Sequence, residues 1–193
     1  MPSISLAFWQ TDRRDALDEL EAAHAKMGGV GPGRRYATQQ INQAYAMVLS
    51  SQFQGFCRDL HSEAVDHVCR QGPVADLRLD VLRKRLTTGR KLETGNPNPG
   101  NLGADFGFFA FELWEALKRH DPANATRNKV MEKFNVWRNA IAHQDFTSKE
   151  LDGRTTVTLA MVRKWRGTCE ALAMDLDSVV GSRLAIILGA NPW

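Results

Sequence analysis

Several large protein classes are marked by features that this chain lacks or has little of. It carries only three cysteines in 193 residues, Cys57, Cys69 and Cys169, an odd number with no CxxC pair. That argues against a disulfide framework and fits a reducing, cytoplasmic compartment. No apolar run approaches the roughly 18 residues of a membrane span, and the C-terminal LAIIL is far too short. The apolar opening ISLAFW is too short for a signal peptide and has no basic leader before it. A formal net charge of only +3 does not announce a nucleic-acid binder and merely permits an anionic partner. Alternating β-branched runs flanked by turns are nearly absent, RTTVTL at 154–159 being the exception.

What is present is an ordinary globular composition, 43% apolar and 24% charged. The length suits one domain, 1–193, able to bury a hydrophobic core without staples. Helical spacing of apolar residues predicts helices at about 10–27, 36–71, 74–88, 104–120, 123–144 and 157–188. The third of these, 74–88, places Val74, Leu77, Val81 and Leu82 or Leu86 at helical spacing. GGVGPGRR, QGP and TGNPNPGNLG (94–103) read as breaks and loops. Pro122 is placed to open one helix, and Gly189 with Pro192 to close the last. The expected fold is therefore an all-α bundle of five or six helices.

Two suggestive patterns carry little chemistry. GVGPGRR lacks the preceding strand and the spacing of a P-loop or dinucleotide fingerprint. Cys57, His61, His67 and Cys69 look metal-like in one dimension. On a helix, Cys57 and His61 share a face while His67 and Cys69 point elsewhere, so no convergent ligand set, and no metal, is expected.

The stretch WRNAIAHQDF, 137–146, is different. On a helical wheel Val130, Phe134, Trp137 and Ile141 form one core stripe. A second stripe, Met131, Asn135, Arg138 and Ala142, lies roughly 100° around, with Asn139 and His143 one turn apart beside it. It is small, apolar or amide-bearing where a solvated face would show Lys and Glu. A second packed surface, such as a contact between two copies, is one explanation.

The order Arg138-Asn139-Ala140-Ile141-Ala142-His143 resembles the signature of the HEPN superfamily, an Arg, four to six residues, then a His, often with a polar residue just after the Arg. The context is similar too. The motif ends a helix late in an all-α chain, follows KFNVW, and precedes TLAMVRKWRGTCEALAMDLDSVV, which resembles the closing helix of bacterial members. With FQGFCRDLHSEAVDHV the likeness covers roughly 36–188 and leaves 1–30, a helix and linker, without a guide. The resemblance implies a HEPN-like bundle acting as a metal-independent endoribonuclease of toxin or defence type, without cofactor. Its partners would be RNA and a second copy of the chain, the two motifs forming one cleft across the dimer axis. Arg138, Asn139 and His143 would be the catalytic residues, with Arg138 and Asn139 also holding substrate. His143, as an imidazole, can act as base or acid. Arg138 offers a planar fork of donors to phosphate, and Asn139 can hold the His143 ring or a phosphate oxygen. An antitoxin protein is a further partner in such families. Some members carry a tyrosine two residues after the His, which a partner enzyme modifies; here that position is Asp145, so this form of silencing is not supported.

Other accounts of the same residues stay open. His143 suits the negative end of a helix macrodipole, and Arg138 could pair with Glu132, Asp145 or a neighbouring helix. A HEPN-like module without catalysis could serve dimerisation or partner binding. Basic clusters at Arg34-Arg35, Arg83-Lys84-Arg85 and Arg163-Lys164 with Arg166 would suit a DNA-binding helical protein. Glu63 and Asp66, on the long helix, are positioned to orient His143 or Arg138 from a facing helix.

Overall fold

The computed structural model describes residues 1–27, 35–71 and 76–193. Among these the chain is all helical. It runs through α1 (Ile4–Phe8), a π-turn at Trp9–Arg13, α2 (Arg14–Met27), α3 (Arg35–Gln71), α4 (Asp76–Thr87), α5 (Lys91–Thr94), α6 (Pro99–Phe106), α7 (Leu113–His120), α8 (Asn124–His143) and α9 (Leu159–Leu188). Two single 3₁₀ turns, Gly107–Phe109 and Lys149–Leu151, lie between helices. No strand forms among the described residues; in RTTVTL the Thr158 hydroxyl instead accepts from Met161 N and starts α9. The readings of GGVGPGRR and QGP as breaks, and of Val74, fall largely outside the described residues.

Two helices form the axis of the molecule. At 1.5 Å per residue α3 is about 55 Å long and α9 about 45 Å. On α3 the residues Tyr45, Leu49, Phe53, Phe56, Leu60 and Ala64 recur every three or four positions and are fully buried. On α9 Val162, Trp165, Cys169, Leu172, Leu176, Val180 and Leu184 recur at the same spacing and are buried. That periodicity gives each helix one continuous apolar stripe, and the two stripes face each other. The remaining helices close around this pair, with α8 packed against α3, α6, α7 and α9.

Residues 1–27 belong to the same core. Trp9 packs its ring against both Phe53 and Phe56, with centroids 5.8 and 5.6 Å away, and Leu6 and Leu17 are buried in the same core. Glu63 of α3 accepts from the N–H groups of Ile4 and Ser5, both at 2.9 Å, and from the Ser5 hydroxyl. These are the orphan donors of a helix start. Glu63 is therefore an N-terminal anchor, and Asp66 pairs with Arg83 at 3.0 Å. Neither reaches Arg138 or His143, contrary to expectation.

The helix expected at 104–120 is two helices. Ala110 sits at φ 55°, a left-handed conformation that ends the 3₁₀ turn and redirects the chain. Arg183 of α9 holds this corner by donating to the carbonyls of Phe109 and Ala110 at 2.8 and 2.7 Å. Conversely, half of the expected loop 94–103 is helical. Asn98 caps α6 by accepting from Asn101 N at 2.8 Å, and Pro99 occupies the first turn. Val81 of α4 is exposed, while Leu82 and Leu86 pack against the core. Among the described residues five helices exceed ten residues, close to the expected number, and the four short ones account for the excess.

Candidate functional site

The core stripe of α8 forms largely as its spacing requires. Phe134, Trp137 and Ile141 are buried, and Val130 is half-buried at the edge. Phe134 stacks on Trp165 at 4.8 Å, and Trp137 lies against Trp165 and Phe146. The second stripe divides. Met131 is buried within the chain, its sulfur 3.9 Å from that of Cys169, so this position needs no second copy to cover it. Asn135 and Arg138 are half-buried and Ala142 is exposed.

The C-terminus of α8 is closed by backbone. Gln144 takes the left-handed conformation, φ 52°, and donates to Ile141 O, while Asp145 N donates to Ala140 O at 3.0 Å. This is the pairing of a Schellman motif, with glutamine where glycine is usual. The Gln144 side chain adds a bond to the Ile141 carbonyl at 2.7 Å. The turn folds the chain back, so that Asp145 comes near His143, the exposed last residue of the helix. The hydroxyl and N–H of Thr147, and more weakly the His143 ring, hold the Asp145 carboxyl below its ordinary range.

The fold-back leaves a cleft of about 370 Å³ against α8, lined by Asn135, Asn139, His143, Asp145, Ser148 and Glu150 among others. Asn139 and His143 thus face one space. Arg138 sits beside it and reaches it through Asn139, its guanidinium donating to Asn139 Oδ1 at 3.4 Å. It makes no ion pair among the described residues, with Glu132 or Asp145 or otherwise. Asn139 and His143 are not hydrogen-bonded to each other either.

The residue that sequence spacing missed is Asn96. Its Nδ2 donates to Asn139 Oδ1 at 2.7 Å, and Asn101 holds it by donating to its carbonyl, also at 2.7 Å. With Oδ1 engaged twice, the Asn139 amide has its orientation set. Its Nδ2 has no acceptor among the described residues, so its donor end is the one available to a ligand. No local pattern could have linked positions 96 and 139. The Asn98-Pro99 start of α6, which sets the loop carrying Asn96, was a readable signal.

That loop rests on a buried polar node. The His61 ring is fully buried on α3, with Nε2 3.1 Å from Asp105 O and Nδ1 3.4 Å from the Arg90 guanidinium. A neutral ring with its proton on Nε2 satisfies both contacts. Burial first, and then the Arg90 charge, push its pKa down to about 4. Asp105 accepts from the N–H groups of Lys91 and Leu92 at 2.7 and 2.9 Å and so caps α5. Arg90 also donates to Ser62 at 2.8 Å and pairs with Glu93. The metal-like set of the sequence dissolves accordingly: His61 serves this node, Cys57 and Cys69 are buried free thiols, and His67 packs its ring against Trp193. Among the described residues no three His, Cys, Asp or Glu side chains converge.

The basic clusters are neutralised only in part. Arg166 is buried and bonded to Asp18, Tyr45 and Glu170. Arg163 pairs with Glu21, and Arg83 with Asp66 and Asp80. Arg34 lies outside the described residues. No helix among the described residues is long and apolar enough to cross a membrane. No protein-family model, curated protein or solved structure matches the chain.

Proposed function

We propose that the chain is a HEPN-type endoribonuclease of toxin or defence character, metal-independent, working in the cytoplasm as a homodimer with a composite site. The observation that carries this is the shared cleft at the end of α8. Asn139 and His143 open onto it, and Arg138 is hydrogen-bonded to Asn139 at its edge. These residue types can serve the roles that RNA self-cleavage needs. The 2′-hydroxyl attacks the adjacent phosphorus, a base takes its proton, and an acid protonates the leaving 5′-oxygen. His143, exposed at a helix end, can exchange protons with solvent and substrate. Arg138 supplies a permanent charge and a fork of donors for the phosphorane-like transition state, and Asn139 adds a pre-oriented amide donor.

The geometry also gives a reason for two copies. Arg138 and His143 are five residues apart, about 140° around the helix axis. One copy therefore cannot turn both directly at a single phosphate. Two copies meeting along α8 would supply two histidines, one as base and one as acid, and an arginine from either side.

The test is cleavage of RNA and of DNA of the same sequence in EDTA, with ultracentrifugation of the same sample. RNA alone should be cut, leaving a 2′,3′-cyclic phosphate or its hydrolysed 3′-phosphate, by a dimer. Equal cleavage of DNA, which has no 2′-hydroxyl, would sink the mechanism, as would activity that returns only with added Mg²⁺ or Mn²⁺. A stable dimer that cuts no RNA would favour a non-catalytic HEPN-like module.

A further inference from the structure

We infer that the groove between α8 and α9, about 100° around α8 from the His143 cleft, binds the phosphodiester backbone of single-stranded RNA. The groove has a volume of about 280 Å³ and a mainly apolar floor that includes Trp137 and Trp165. Its rim brings Lys129 and Lys133 from α8, Arg154 from the connecting loop and Lys164 from α9 to one place. No carboxylate lines it. Only Lys133 is engaged, with the Glu150 carbonyl and with Asp152 at 3.0 Å. Lys129, Arg154 and Lys164 have no acidic partner among the described residues. The neighbours of Lys164 behave differently, since Arg163 and Arg166 are matched by Glu21, Asp18 and Glu170. Unmatched cations from three separate elements around one depression repel one another. An anion seated among them relieves that repulsion.

The shape selects the occupant. At about 280 Å³ the groove falls just below the range of small-ligand sites, roughly 300–1,000 Å³. A helix of an acidic protein, roughly 10–12 Å across, is too wide for it. A phosphate with part of its nucleotide fits, the cations on the phosphate and the apolar floor beneath the sugar or base. The position fits a strand as well. Lys133 holds the carbonyl of Glu150, a residue of the cleft wall, so the loop tethered there borders both depressions. From Lys133 to His143 is ten residues of helix, about 15 Å, which a few nucleotides cover. The naming of RNA rests on the ribonuclease reading; the charge and shape of the groove do not.

Binding of a fluorescein-labelled oligouridylate of about ten nucleotides tests this, read by fluorescence anisotropy against salt concentration. The full chain carries His143→Ala so that the probe survives. Adding Lys129→Ala, Arg154→Ala and Lys164→Ala should weaken binding at least tenfold. It should also flatten the slope of log K against log salt by about 2, three phosphate contacts being lost at roughly 0.7 each. Lys26→Ala, Lys84→Ala and Arg85→Ala remove the same net charge elsewhere and should leave the slope unchanged. A DNA oligonucleotide of equal length should bind comparably, because phosphate is what the rim reads. Unchanged affinity and slope in the rim variant overturn the inference, and so does displacement of the probe by polyglutamate at equal charge concentration, which assigns the groove to an acidic protein. If wild type cleaves RNA but the rim variant binds normally, the groove fails alone. If the rim governs binding and wild type cleaves nothing, the ribonuclease reading fails alone.

Discussion

Acidification should destabilise the protein through one residue, His61. The ring is fully buried beside Arg90, and its pKa falls from the ordinary 6.5 to about 4. Between those values the unfolded chain binds a proton that the folded chain refuses, so stability rises with pH across the window. The contribution is fully present above about pH 6.5 and is lost as the pH falls to about 4. At about 1.4 kcal/mol per pH unit the whole drop comes to ~3 kcal/mol, of which ~2 kcal/mol is gone by pH 5. Against a total stability of roughly 5–15 kcal/mol this is large. The assay is urea unfolding followed by tryptophan fluorescence from pH 8 to pH 4.5, on wild type and on His61→Gln. Glutamine does not titrate, yet it can still donate to Asp105 O and accept from Arg90. The difference between the two curves isolates His61 from Asp177, whose carboxyl is pushed up by burial and acts in the opposite sense in both proteins. Wild type should lose ~2 kcal/mol relative to the variant on going from pH 8 to pH 5. Parallel curves would show that His61 is not held neutral, and the account of the node would be wrong.

Arg138→Ala and His143→Ala should each abolish cleavage while leaving the helical circular dichroism intact, since neither side chain is part of the core. The expected losses are about 10²–10⁴-fold for the acid–base group and roughly 10²–10³-fold for the transition-state donor; full activity in both variants would refute the site. Trp137→Ala should do the reverse, costing roughly 3–5 kcal/mol of stability, because its ring is buried between Trp165 and Phe146; a thermal midpoint near wild type would contradict that packing. Asn96→Ala removes the bond that orients the Asn139 amide and should slow cleavage about fivefold, matching ~1 kcal/mol for one hydrogen bond, with little change in melting temperature; an unchanged rate would make Asn96 merely structural. All three thiols are buried, and Cys57 and Cys169 are pushed well above the ordinary thiol range by that burial. Native protein should therefore react with iodoacetamide far more slowly than urea-unfolded protein, and rapid labelling without denaturant would argue against this core.

The tertiary structure and the sequence divide this protein along a physical line. Helical class, the ends of α3, α8 and α9 to within about two residues, and the burial of Phe134, Trp137 and Ile141 were legible in the sequence. Apolar spacing is a local property, repeated every turn, and needs no partner to be read. That Arg138, Asn139 and His143 share the end of one helix was legible for the same reason, since they lie within two turns of each other. Spacing says that a face is covered but not by what. Met131 was read as part of a surface awaiting a second copy, and α9 covers it through Cys169. Glu63 and Asp66 sat at plausible positions, yet carboxylates go to the nearest unsatisfied donors, here the start of α1 and Arg83. The left-handed residue of the break, Ala110, is not a glycine and is held by Arg183, more than seventy positions away. Asn96 meets Asn139 only because the His61 node and the Asn98 cap set the loop between α5 and α6 against α8. Periodicity, being local, determined which residues turn inward; only the packing of distant helices decided which polar groups meet, because a hydrogen bond leaves no period in the chain.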